Sequence, residues 1–253
     1  MDHIGELQER LEIKSNLDLK DWWEEYLKHN AKFRGLRMLD IQSIVHKWYF
    51  EFRLDTTLST EEQKALALNL FREEYSEDKV AGIVLLQEIL LPTGAIEWRI
   101  DLPQFAKLFT EGYISDWNIC DWFCVKVLGP LAEQQGEDCA RAISQWRNSD
   151  NLWQRRASGV AFVNLIKNGE SNFPGFTDML IEICSESIQH KEELSQTGTA
   201  WVLRELSYTN MDLAESFIES NICQFSREAL QKATEKMSSD TTTRLKEAHK
   251  DCG

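Results

Sequence analysis

The sequence predicts an all-α fold, and three observations carry that expectation. Helix-forming residues (Leu, Glu, Lys, Ala, Gln, Arg) dominate, apolar residues recur at helical spacing, and the prolines, Pro92, Pro103, Pro130 and Pro174, stand far enough apart to leave long uninterrupted segments. With 253 residues, 42% hydrophobic and 28% charged, the chain suffices for one large or two ordinary domains, which excludes disorder, collagen and a small disulfide scaffold.

The elements follow in order. Leu17 to Phe33 places Leu19, Trp22, Trp23, Tyr26 and Leu27 at helical spacing, with Asp18 able to cap. Leu39 to Leu54 buries Ile41, Ile44, Val45, Trp48, Tyr49 and Phe52. Ser59 and Glu62 form a capping box that opens a helix running through Phe71. Asp78 is positioned to cap Lys79 to Leu91, and Leu102 to Thr110 begins with Pro103 in its first turn, where a missing N–H does no harm. Ser115 caps Asp116 to Leu128, Gly129-Pro130 stops it, and Glu137 to Arg147 follows. Asn151 caps Leu152 to Asn168, with Gly169 at its end. Gly175 to Ile188, Glu192 to Tyr208, Met211 to Ser220 and Ser226 to Met237 complete the series.

Helices of about 10 to 18 residues, paired roughly every 35 to 45 residues, match the repeat length of an α-solenoid. We expect one curved stack of helical hairpins over residues 1–237 with a concave face, and a polar, frayed tail over 238–253. A globin-like or compact multi-helix bundle is the alternative.

No apolar run reaches the roughly 20 residues needed to span a bilayer. The N-terminal MDHIGELQERLEIK is acidic and amphipathic and lacks the features of a secretory signal, so a cytoplasmic or nuclear, reducing compartment is expected. In that setting Cys120, Cys124, Cys139, Cys184, Cys223 and Cys252 read as small apolar groups without disulfides. Net charge is −14, which argues against bulk adhesion to membranes or nucleic acid. Lys79 to Lys167 nevertheless carries nine Lys/Arg against ten Asp/Glu, so nearly all the excess acid lies in the flanks.

Three segments bear chemistry. In Tyr113 to Pro130, Trp117 and Asp121 are four apart and share a helix face, while Ile119, Phe123, Val127 and, at its edge, Trp122 anchor the opposite one. Packing for Trp117 and a solvated acid for Asp121 is the plain alternative. Asn151-Leu-Trp153-Gln-Arg155-Arg156 opens a helix with two adjacent guanidinium groups suited to phosphate, or to a structural carboxylate bridge. Trp201 follows Thr197-Gly198-Thr199, small residues that would let another backbone approach its ring, although core filling would explain it as well.

Phe109 to Pro130, Ser149 to Ala157 and Ala200 to Leu206 together resemble the three signature segments of the DNA alkylation repair glycosylases built from HEAT-like helical repeats, in the family's order and at similar separations. Weaker similarity from Phe33 to Leu230 covers about four fifths of the chain. The resemblance implies a HEAT-like α-solenoid whose concave groove holds duplex DNA. It implies a monofunctional glycosylase, acting as a monomer, for cationic purines alkylated at N3 or N7, with no base flipped into a pocket. Residue by residue, Asp121 falls on the family's catalytic Asp, Trp117 and Trp201 on its two aromatics flanking the lesion's sugar, and Arg156 on its DNA-contacting Arg. Arg204 matches a further basic position.

That chemistry suits the residues. A cationic purine departs neutral and needs little general-acid help, so the task is to stabilise an oxocarbenium-like sugar, for which a carboxylate and π faces are appropriate. The sequence departs from the family after Gly35, where Leu36-Arg37-Met38 replaces a usual Pro and nearby Arg. It departs again in charge. Arg155, Arg156, Arg204 and Lys126 must carry most phosphate neutralisation, which predicts weak, salt-sensitive binding.

Cys120 and Cys124 are four apart but lack further ligands, and His46, His190 and His249 are isolated, so no metal is expected. No cofactor is expected either, since hydrolysis needs only water. Two other functions fit: a non-catalytic HEAT-like module binding a protein or branched nucleic acid, which the acidic composition favours, and a resistance glycosylase for a bulky adduct.

Overall fold

The computed structural model describes residues 2–252. Among them are sixteen α-helices and no named strand, so the all-α expectation is met. The chain divides into two compact units, Met1–Val127 and Leu128–Gly253.

The first unit comprises α1 (His3–Glu12), α2 (Leu17–Tyr26), α3 (Met38–Glu51), α4 (Leu54–Thr57), α5 (Thr60–Leu70), α6 (Ser76–Val84), α7 (Trp98–Thr110) and α8 (Trp117–Phe123). The capping box at Ser59 and Glu62 forms as expected. Other caps differ. Asn16, not Asp18, caps α2, which stops at Tyr26 because Lys28 and His29 adopt positive φ. Trp22 and Tyr26, which helical spacing placed among core residues, are 53% and 56% exposed. The helix of the next apolar stretch begins at Ser76, so Asp78 lies inside its first turn and not at its cap. There it is buried against the Arg34 guanidinium at 3.0 Å. Burial raises the Asp78 carboxyl above the ordinary range while Arg34 opposes that shift. Pro103 sits inside α7, which starts earlier than expected at Trp98.

Glu77, also buried, accepts the backbone N–H groups of Arg34, Gly35 and Leu36 at 2.9, 2.8 and 3.1 Å. A buried carboxylate is tolerable only when its lone pairs are filled, and three amides do that here. Gly35 is required at this point: its φ is +84° and a Cβ would lie 2.1 Å from the Asn16 carbonyl oxygen.

The second unit comprises α9 (Gly129–Gln135), α10 (Glu137–Ser144), α11 (Leu152–Val160), α12 (Phe176–Ser187), α13 (Glu193–Thr209), α14 (Met211–Ser220), α15 (Arg227–Ala233) and α16 (Ser239–Lys250). Gly129-Pro130 opens α9 instead of stopping its predecessor, since proline is at home in a first turn. The helix capped by Asn151 ends at Val160, short of Asn168. α13 is the hub, packed on α11, α12, α14 and α15.

The tail expected to fray is helical. Leu245 of α16 is fully buried, and His249 Nε2 donates to the Phe225 carbonyl at 2.8 Å. Cys252 forms a disulfide with Cys223, which corrects the expectation of free thiols throughout. The remaining four cysteines are buried as expected, and burial pushes the Cys184 thiol up to about 12, so it stays neutral. No helix among the described residues is long and apolar enough to cross a membrane.

The disulfide has a direct check. Under denaturing, non-reducing conditions four thiols should react with a thiol reagent, rising to six after reduction. Six without reduction would show that α16 is held by noncovalent contacts alone.

Candidate active site

α8 is positioned by its apolar face. Phe123 is fully buried and meets Phe71, Phe105 and Phe109 edge-on at centroid distances of 5.5, 5.4 and 6.0 Å. Ile119, Cys120 and Val127 are equally buried. Fully burying one such side chain contributes about 1.5–3 kcal/mol, so this face fixes the helix rotation without help from its other side. Trp117 and Asp121 occupy that other side and are half-buried.

The cap of α8 is Asp116 and not Ser115. Its side-chain oxygen accepts the Ile119 N–H at 2.9 Å. Both residue types cap well, and the register that sends Ile119 and Phe123 inward selects the later one. Burial raises the Asp116 carboxyl above its ordinary range, with Lys79 acting in the opposite direction. Lys79 Nζ donates to the Tyr113 carbonyl at 2.7 Å, bracing the turn that leads into α8. Burial lowers the Lys79 ammonium below its usual value.

Trp117 has a neighbour that pattern reading assigned to the core. The Tyr26 ring meets it edge-on at 5.7 Å, and Tyr26 stacks on Trp22 at 5.1 Å, giving a partly exposed aromatic surface. Lys126 lies over the Trp122 ring at 5.4 Å, on the first unit with Asp121.

In the second unit the two adjacent arginines separate. The Arg155 side chain is 3% exposed and donates to the carbonyls of Ser149 and Asp150 and to Glu192. Its guanidinium therefore holds the turn before α11, and the expected phosphate contact is not available to it in this arrangement. Arg156 crosses onto α13 and donates to the Leu194 carbonyl at 2.7 Å and Thr197 Oγ1 at 3.2 Å. Gly198 makes room for it, since a Cβ there would lie 3.0 Å from Arg156 Cγ. The small residues before Trp201 thus accommodate an arginine side chain and not the backbone foreseen from sequence.

Trp201 is half-buried on α13, and its indole N–H donates to Glu205 at 3.1 Å. The same carboxylate accepts from Arg204, whose other nitrogen reaches Glu235 at 3.2 Å. Arg204 and Lys232 both lie over the Trp201 ring, at 5.8 and 5.2 Å. Sequence reasoning missed Glu205, although its position four residues after Trp201 was the available signal. Lys232 had none, because it comes from a different helix.

Among the described residues no group of three or more His, Cys, Asp or Glu is placed to hold a metal ion. The three histidines that looked isolated all have a partner: His46 meets Glu88 at 2.6 Å, His249 the Phe225 carbonyl, and His190 Glu192 at 4.0 Å.

The roles of Arg155 and Lys126 can be separated by stability. Arg155→Met strands two carbonyls and should cost about 1–3 kcal/mol. Lys126→Met should change the denaturation midpoint negligibly. Urea unfolding followed by circular dichroism reads both, and equal midpoints for wild type and Arg155→Met would remove the structural role.

Comparison with known proteins supplies the family. A solved structure described as a predicted DNA alkylation repair enzyme from Enterococcus faecalis superposes with a TM-score of 0.74 at 16% identity, covering 89% of this chain and 97% of that one. At such identity the likeness establishes the α-solenoid fold and nothing finer. No curated protein matches the chain. The family described as DNA alkylation repair enzyme matches residues 7–237, which include all three motif segments and parts of both units, and the chain belongs to that family.

Proposed function

We propose that the protein is a DNA glycosylase that hydrolyses the N-glycosidic bond of cationic N3- or N7-alkylated purines in duplex DNA. In this reading it acts as a monomer in the cytoplasm or nucleus and flips no base into a pocket. The observation that supports it most is α8 itself: a helix locked by its phenylalanine cluster presents an indole and a carboxylate, four residues apart, on its half-buried opposite face.

The chemistry assigned to those groups is simple. The alkylated purine carries a positive charge, so its bond to C1′ breaks with the electron pair going to the base, which leaves neutral. A positive charge then develops on the sugar. Asp121, ionised, stabilises that charge and orients a water whose oxygen bonds to C1′, its proton passing to solvent through the carboxylate. Trp117, on the same helix as Asp121, contributes a π face to the cationic sugar and excludes water from it, and the family resemblance gives Trp201 the same kind of role. Arg156 and Arg204 contact backbone phosphate, and Lys126 adds charge.

A non-catalytic binding module is the second reading. It is favoured by the net charge of −14 and by the carboxylates that already engage Arg204.

The test is release of N7-methylguanine from duplex DNA by wild type and Asp121→Asn. Loss of about 10²- to 10³-fold in single-turnover rate is expected for removing one such preorganised charge. Equal rates would defeat the assignment of Asp121. No release by wild type, with duplex bound at low salt, would favour the binding module.

A further inference from the structure

The strongest feature outside the candidate active site lies at the C-terminal end of the second unit. A cavity of about 420 Å³ is lined by Arg227, Leu230 and Gln231 of α15 and by Lys246, His249 and Lys250 of α16. In each helix the three lining positions follow i, i+3, i+4 spacing, so one face of each helix contributes to the wall. The volume falls within the range of small-molecule sites.

The charge of this lining is unusual for the chain. Acidic residues outnumber basic ones 42 to 28, yet among the described residues no Asp or Glu lines the cavity and four of the six lining residues are basic types. Among the described residues Arg227, Lys246 and Lys250 form no ion pair, whereas Arg244, two residues from Lys246, is engaged by both Glu215 and Glu219. The negative end of a helix accounts for cations in the last turn of α16. It does not account for Arg227, which comes from the other wall. Cations on two walls of one cavity repel, and an anion between them reverses the sign of that interaction.

α16 is docked firmly enough to form a lasting wall. Leu245 is buried, Thr242 Oγ1 donates to the Thr234 carbonyl, and Cys252 is tied to Cys223. The helix also lies beyond residues 7–237, so this wall is an addition to the part of the chain that defines the family.

We propose that the cavity between α15 and α16 is a binding site for a phosphate group, with Arg227, Lys246 and Lys250 as its ligands and Leu230 as its apolar floor. A DNA phosphodiester and a free phosphorylated molecule share that chemistry, and the experiment separates them. Isothermal titration of the full chain with sodium pyrophosphate should show saturable binding. Affinity should fall at least tenfold in the Arg227→Gln, Lys246→Gln double variant and by a smaller factor in Lys250→Gln. All three positions are exposed, so melting temperatures should match wild type, and Lys250→Gln serves alone if the double variant melts early. In parallel, an undamaged duplex is titrated over a salt series. A lower salt slope in the double variant identifies the ligand as DNA backbone, and an unchanged slope identifies a free phosphorylated molecule. Non-saturable pyrophosphate binding, or equal affinity in wild type and Lys250→Gln and the double variant, overturns the site. Base release by wild type and Asp121→Asn is measured separately and is indifferent to this outcome.

Discussion

Seating Phe123 among Phe71, Phe105 and Phe109 is the constraint on which the first half of the candidate site depends. α8 runs on without a break into a π-helical turn, Cys124–Leu128, so regular helix hydrogen bonding alone does not set its rotation. What holds α8 is tertiary: a fully buried ring against three others, and a buried cap at Asp116. Both act on the same turn-and-a-half of backbone and leave the rotation of the helix no freedom. Trp117 and Asp121 inherit their direction from that packing, so the preorganisation that electrostatic stabilisation needs comes from residues that never meet a substrate.

The second unit solves a related problem with charge. Arg155 and Arg156 are neighbours in sequence, but successive helix positions diverge by about 100°, so their side chains leave α11 in different directions. One guanidinium closes the preceding turn onto Glu192, and the other lies along α13 in the space that Gly198 leaves open. Arg155 could not be spared for solvent without leaving the Ser149 and Asp150 carbonyls short of a donor, whereas the Leu194 carbonyl keeps Thr197 Oγ1 as a donor when Arg156 leaves. Glu205 plays the equivalent part on α13, binding the Trp201 indole and the Arg204 guanidinium at once. Its single carboxylate fixes the orientation of an aromatic ring and the position of the cation above it.

How much of this was legible depended on the range of the interaction. The Ser59–Glu62 box spans three residues and the common helix face of Trp117 and Asp121 follows from a spacing of four, so both are legible in the sequence alone. The choice between Ser115 and Asp116 as cap is also local, but both are good caps and only the docking of Ile119 and Phe123 decides it. Arg155 and Arg156 looked equivalent because their difference is set by Glu192 and Leu194, nearly forty residues away. Tyr26 had the spacing of a core residue, and the early end of α2 left it exposed beside Trp117. α16 was the largest omission. It is polar, with one deeply buried anchor at Leu245, and its docking uses a disulfide and a histidine–carbonyl bond that no periodicity reveals.

Arg156 and Arg204, the two arginines assigned to backbone phosphate, already have partners, and this shapes how the proposed reading can work. For Arg204 to reach a phosphate it must exchange Glu205 or Glu235, two charge-assisted bonds for one or two of the same kind, so the net gain is small. Each exchange also leaves a carboxylate near the incoming phosphate, a like-charge contact that grows as salt is removed. On the proposed reading, affinity for undamaged duplex is then low, and the balance shifts where the DNA itself carries extra positive charge. A cationic base supplies that charge, attracting Asp121 and lessening the repulsion from the surrounding acids. On the proposed reading the acidity that opposes DNA binding becomes a source of discrimination, since it penalises ordinary duplex more than alkylated duplex.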